Sequence, residues 1–114
     1  MTKVERETLQ ILHELGRRTG HSANEVTNWR LWARHGRMYE RHGYVKGTRP
    51  SHMRNNEYAQ YLRVTEKWLE SFVHRGLAEA IHDRVKAGKK LNLVIGPLYK
   101  LTKEGQKLAR KVAA

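Results

Sequence analysis

The chain has no cysteine, so a disulfide framework and thiolate chemistry are both excluded. Acids are scarce as well: 11 Asp and Glu face 23 Lys and Arg, giving a formal net charge of +12. The few acids are not clustered in the manner a metal-dependent nuclease requires. No apolar run approaches the ~18 residues of a membrane span. The opening residues, Met1-Thr2-Lys3-Val4-Glu5-Arg6-Glu7, lack the apolar core of a secretion signal. There is no Gly-rich phosphate loop and no nucleophile beside a base, so no catalytic activity is expected. The seven histidines form no His-x-x-x-His or Glu-bearing zinc motif, and His35 and His42 lie two helical turns apart. Neither a metal nor a cofactor is expected. A cytoplasmic protein is the simplest expectation.

What is abundant is positive charge. It says little about fold and much about partners: nucleic acid, an anionic membrane surface or an acidic protein. The charge differs in kind along the chain. Between Val26 and Asn56 stand seven basic residues, six of them Arg, against the single acid Glu40. The C-terminal half uses mostly Lys, mixed with acids. Arginine grips phosphate with a fixed fork whereas lysine acts as a point charge, so the middle of the chain is the better phosphate-contact candidate.

Periodicity predicts a first helix from about Lys3 to Arg18, with Val4, Thr8, Ile11, Leu12 and Leu15 on one face. Ser22 with Glu25 three residues on is a capping box that opens a second helix from about Ala23 to Arg41. Its apolar face would be Val26, Trp29, Ala33 and Gly36, with Trp32 and Tyr39 at one edge. Arg30, Arg34, Arg37 and Arg41 are spaced four, three and four apart, within a narrow arc of that helix. A solvated basic face is the plain alternative, but like charges at this spacing repel and a bound anion would relieve them. Residues 42–56 read as a connection, in which Lys46, Arg49 and Arg54 form a candidate basic arm, mobile when free. The four aromatic residues Trp29, Trp32, Tyr39 and Trp68 are expected in the core.

From Glu57 the order is helix, turn, helix, Gly-Leu, polar hairpin and a last helix. Tyr58, Tyr61 and Leu62 face a short helix inward, Arg63-Val64-Thr65 is the expected turn, and Thr65 would cap the next helix. Trp68, Leu69, Phe72 and Val73 would bury that helix, and Gly76 would end it. Leu77–His82 is a first strand and Asp83–Lys90 a hairpin tip. Leu91–Ile95 is a second strand that Gly96-Pro97 bends and Leu98–Leu101 continues. Thr102 should cap the last helix, with Leu108 and Val112 facing the core.

The segment Glu57–Gly105 resembles the winged helix-turn-helix superfamily, especially MarR-like and PadR-like bacterial regulators. Trp68-Leu69-Glu70-Ser71-Phe72-Val73-His74-Arg75-Gly76-Leu77 is similar to the end of their recognition helix. Tyr99-Lys100-Leu101-Thr102-Lys103-Glu104-Gly105 is similar to the strand that leaves their wing. A second resemblance, carried by Arg49-Pro50-Ser51-His52-Met53-Arg54 with the later Gly-Leu and Leu-Thr-x-x-Gly, runs to a winged-helix ribosomal protein family of archaeal and eukaryotic small subunits. The expected fold is a single domain over 1–114, mainly α with a small antiparallel β-hairpin wing. Residues 1–56 would supply the N-terminal helices and basic loop, and 57–114 the helix-turn-helix, wing and C-terminal helix.

The resemblance implies binding of double-stranded DNA and a regulatory role in transcription, with helix 65–75 in the major groove. Rotating that helix away from its apolar side presents Arg63, Lys67, Ser71 and His74, with the acids Glu66 and Glu70 among them. Arg84, Lys86, Lys89 and Lys90 at the wing would reach the backbone. With the Arg stripe and connecting arm, on the order of six to ten phosphates would be engaged, and roughly three to five decades of affinity lost between 50 and 200 mM salt. Helix one and the last helix have apolar faces suited to pairing two subunits. RNA, or an acidic protein such as part of a polymerase, is the alternative partner; no membrane contact is expected.

Overall fold

The computed structural model describes residues 1–16, 19–82, 84–87, 91–94 and 96–113, the strands between 84 and 94 by backbone alone. The elements in order are α1 (Lys3–Leu15), β1 (His21–Ser22), α2 (Ala23–Arg41), α3 (Asn55–His74), β2 (Ala78–Ile81), β3 (Arg84–Ala87), β4 (Leu91–Val94), β5 (Leu98–Leu101) and α4 (Lys103–Ala113). The fold is mainly helical, with a small antiparallel sheet of order β1-β5-β2 and a separate β3-β4 ribbon. No described helix is long and apolar enough to cross a membrane.

Local chemistry sets most helix ends. Ser22 Oγ accepts from the Glu25 amide at 3.1 Å and opens α2, and Thr2 Oγ1 does the same for Glu5 and α1. Arg75 and Gly76 close α3: the Gly76 amide donates to the Val73 carbonyl and the Leu77 amide to the Phe72 carbonyl, with Gly76 at φ 74°. That is a Schellman turn, and its left-handed residue is the one that favours glycine. α1 ends at Leu15, with the Gly16 amide closing on the His13 carbonyl; the expected end at Arg18 lies outside the described residues. His21 fixes the step into β1, one ring nitrogen reaching the Glu25 carboxylate and the other the Gly16 carbonyl, both at 3.1 Å.

The helix expected to break at Arg63-Val64-Thr65 does not break; α3 runs unbroken from Asn55 to His74. Thr65 is a fully buried interior residue, not a cap. Its hydroxyl donates to the Tyr61 carbonyl at 3.0 Å and accepts from Thr27 Oγ1 at 2.8 Å and an Arg30 guanidinium nitrogen at 2.9 Å. A polar residue fills a core position because α2 supplies its partners. Tyr58, Tyr61, Leu62, Thr65, Leu69 and Phe72 then form one continuous inward stripe.

α2 also departs from expectation. His35 has non-helical angles (φ −127°, ψ 16°), and the kink there turns the following residues. Leu31, Trp32 and Tyr39 are buried, while Ala33, expected on the apolar face, is exposed. These form a second core with Tyr58, covered by Trp29, Tyr44, Met53, Tyr61 and Leu62. The main core joins Leu9, Ile11 and Leu12 of α1 to Val26, Leu69, Phe72, Tyr99, Leu101 and Ala109. α1 buries Leu9, Ile11 and Leu12 in this core, whereas α4 buries Ala109 and leaves Leu108 and Val112, expected to face the core, half-buried.

The strand pairing is different from a single bent hairpin. β5 lies between β1 and β2, with Ala80 opposite Tyr99 and His21 opposite Tyr99 from the other side. β4 pairs with β3 instead, Lys86 opposite Asn92. The segment expected as the tip instead holds strand β3 at Arg84–Ala87, and residues 83 and 88–90 lie outside the described ones.

Gly105 ties α4 to the end of α3. A methyl group there would overlap the Leu77 carbonyl oxygen. Thr102 holds the same corner: its amide donates to the Leu77 carbonyl (3.0 Å), its hydroxyl to the Gly76 carbonyl (2.7 Å), and its oxygen caps Gly105 (3.1 Å). The Gly-Leu and Leu-Thr-x-x-Gly segments are thus the two halves of one joint.

Candidate nucleic-acid interface

The solvent-facing side of α3 is set by its inward stripe. Opposite Tyr58, Thr65, Leu69 and Phe72, at spacings of four, three, four, four and three, lie Asn56, Gln60, Arg63, Lys67, Ser71 and His74. All but the half-buried Ser71 are exposed. Arg63, Lys67, Ser71 and His74 were expected there; Asn56 and Gln60 were not. The assumed turn hid them, although the same spacing, continued two turns upstream from Arg63, reaches both. The addition changes the chemistry of the face. Asn and Gln amides carry a donor and an acceptor side by side and pair with adenine, whereas Arg and Lys suit guanine or phosphate.

The acids sit to one side. Glu66 and Glu70 line a cleft of about 350 Å³ shared with Ser22, Asn24, Pro97 and Tyr99, on the flank of α3 that meets β5. Burial first, then the carboxylates of Glu70 and Glu66, push the Tyr99 phenol above its ordinary 10.0. Burial also raises Tyr58, which Arg49 partly opposes, and raises Tyr39 together with Tyr61 and Tyr44. A raised value means the folded state holds these protons more tightly than the unfolded one. The stability this contributes is full below about pH 10 and is lost as pH rises through the folded-state values. Urea midpoints measured from about pH 8 to about pH 11 should be level at first and fall above about pH 10. Midpoints that stay level across the series would contradict buried, protonated tyrosines.

The connection 42–54 is pinned to the second core at several points. Trp32 Nε1 donates to the Thr48 carbonyl at 2.8 Å, and Pro50 is fully buried. Tyr44 stacks on His52 with ring centroids 5.6 Å apart, both set against Tyr39. This packing delivers basic residues to the start of α3. Arg49 lies 4.2 Å from the Tyr58 ring centroid and donates to Asn55 Oδ1 at 2.7 Å, while Arg54 occupies the residue before the helix. Arg37 and Arg41, past the kink of α2, and Lys46 are exposed.

The Arg stripe of α2 does not act as one surface. Arg30 is 2% exposed, its Nε 2.8 Å from Glu7 Oε1 and its Nη1 donating to both Thr65 Oγ1 and the Tyr61 carbonyl. It is a structural cation and not a phosphate contact. Arg34 is exposed and shares Glu7 at 3.3 Å. The four-residue spacing points Arg30 inward because Glu7 of α1 and Thr65 of α3 converge there. Arg84 and Lys86 stand on β3, and Lys89 and Lys90 lie outside the described residues. Among the described residues no group of three His, Cys, Asp or Glu could hold a metal ion.

No protein-family model, curated protein or solved structure matches this chain, so its function has to be read from this surface.

Proposed function

We propose that the chain is a winged-helix protein that binds double-stranded DNA sequence-specifically and regulates transcription, with α3 in the major groove. The observation that carries this is the solvent-facing stripe of α3, which runs Asn56, Gln60, Arg63, Lys67, Ser71, His74 with Glu66 and Glu70 on its flank. Five turns of helix present amide, guanidinium and ammonium groups to one side, the types that read base edges. The strand order β1-β5-β2, interrupted by the β3-β4 ribbon, supports the winged-helix reading, with the ribbon as the wing. The helix pair is then α2 and α3 with a long packed connection, in place of two halves of α3. Arg37, Arg41, Lys46, Arg49 and Arg54 hold phosphates near the start of α3, and Arg84 and Lys86 on the ribbon hold them further along. Phosphate contacts fix register while base contacts specify.

The test is selection of bound fragments from a random duplex pool at physiological salt, with structured RNA as competitor. A short enriched motif is expected. Arg63→Ala should cost about 1–3 kcal/mol on that motif and relax one position, whereas Lys67→Ala should weaken all duplexes alike and lower the salt slope by about 1. Preferential retention of structured RNA would replace DNA by RNA as the partner. A pool without a motif, bound equally by both variants and the parent, would remove α3 as the reading helix.

A further inference from the structure

The cations of α4 take no part in the α3 surface. Lys103, Lys107, Arg110 and Lys111 are all exposed and fall on one arc of the helix, away from the buried Gly105 and Ala109; Arg110, at the edge of the arc, donates to Gln106 Oε1 at 3.4 Å. Glu104 is the single acid of α4, and among the described residues none of the four cations is in an ion pair.

A solvated helix end accounts for only part of this. Arg110 and Lys111 lie in the last turn, where the helix dipole favours cations. Lys103 opens the helix, where the dipole disfavours one. Lys107 stands four residues from Lys103, three from Arg110 and four from Lys111, spacings at which like charges repel. A row of phosphates along the face would relieve all of these contacts.

The direction of the face matters more. Leu69 and Phe72 of α3 and Ala109 of α4 belong to one core, and each helix turns its outward side away from it. α4 packs on α1 and β5, and α1 packs in turn on α2 and α3. Duplex DNA is stiff over about 50 nm, so a segment lying along α3 cannot also follow α4 without a costly bend.

We propose that α4 is a second phosphate-binding face, so that one copy of the chain holds two duplex segments at once. This rests on α3 contacting the first. The α4 face offers three lysines and one arginine and no exposed amide side chain, a set dominated by the point charges that hold phosphates.

The experiment immobilises one duplex on beads and measures protein-dependent retention of a second, labelled duplex. Binding to a single short duplex is followed separately by fluorescence anisotropy, and oligomeric state by sedimentation. The full chain is compared with Lys103→Gln/Lys107→Gln/Arg110→Gln/Lys111→Gln, whose fold is checked by circular dichroism, and with Arg63→Gln/Lys67→Gln. The parent is expected to retain the second duplex as a monomer. The α4 variant should lose about tenfold or more of that retention while single-duplex affinity falls about threefold or less. The α3 variant should lose motif binding. Single-duplex binding by the parent with no retention of a second duplex would overturn the α4 face and leave the α3 reading standing. Retention undiminished in the α4 variant, or present only in a dimer, would overturn it as well. No binding to any duplex would remove the α3 reading, and the α4 face with it.

Discussion

Replacing Arg30 with alanine is expected to lower the free energy of unfolding by about 3–5 kcal/mol, the range for breaking one side of a buried ion pair. The guanidinium bonds Glu7 of α1, and Thr65 and the Tyr61 carbonyl of α3, and so links three helices from a site 2% exposed. Without it the Glu7 carboxylate, 15% exposed, keeps among the described residues only the 3.3 Å contact to Arg34, and the Thr65 hydroxyl loses its guanidinium donor. Arg30→Met combined with Glu7→Gln should recover much of the loss, because removing both charges spares either from burial alone. Arg37→Ala, at an exposed site, should stay within about 0.5 kcal/mol of the parent. Urea unfolding of the four proteins decides the matter. An Arg30→Ala protein that melts with the parent would mean the network contributes nothing.

Gly105→Ala is the second large effect, about 2–3 kcal/mol, in the upper range for overfilling a packed site. The new methyl would lie inside the contact distance of the Leu77 carbonyl oxygen, a backbone atom that cannot step aside. Relief requires α4 to lift, and lifting strains the bonds from Thr102 to Leu77 and Gly76. The loss should therefore be local before it is global. Amide exchange in α4 is expected to accelerate well beyond that in α3, while Lys107→Ala on the outer face leaves both unchanged. Uniform protection across α4 and α3 in Gly105→Ala would show that the corner tolerates the methyl.

The sequence discloses what neighbouring residues decide. Ser22 caps α2 through the Glu25 amide three residues on, while the Glu25 carboxylate reaches His21; Gly76 ends α3 and Thr102 opens α4 by contacts within a few residues. The misreadings share a different cause. Arg30 belongs by spacing to an outward stripe, but Glu7 is 23 positions away and Thr65 is 35 away, and those two turn it inward. Thr65 reads as a cap from its neighbours alone, because the two donors that make its hydroxyl a core group, Thr27 and Arg30, lie on α2. Treating Val64-Thr65 as a break then concealed Asn56 and Gln60, which complete the candidate site. Strand pairing failed for the same reason: β4 and β5 follow one another in the chain, yet each pairs with a different neighbour. Local capping was legible, and long-range polar contacts were not.

The position of β5 between β1 and β2 bears on how the molecule is made. During synthesis the first two residues of that sheet, His21 and Ser22, emerge long before Leu98–Leu101, the strand that bonds them. Until then β1 and β2 have no common partner, and the halves of the core contributed by Tyr99, Leu101 and Ala109 are missing. The helices α1, α2 and α3 by contrast carry their mutual contacts, Glu7 to Arg30 and Thr27 to Thr65, entirely within the earlier part of the chain. A growing chain can thus assemble its three-helix part around these polar links and close the sheet last. Loop closure over such a separation is slow relative to helix pairing. The buried Arg30 network would hold a partly synthesised chain in register while its final strand is still to come.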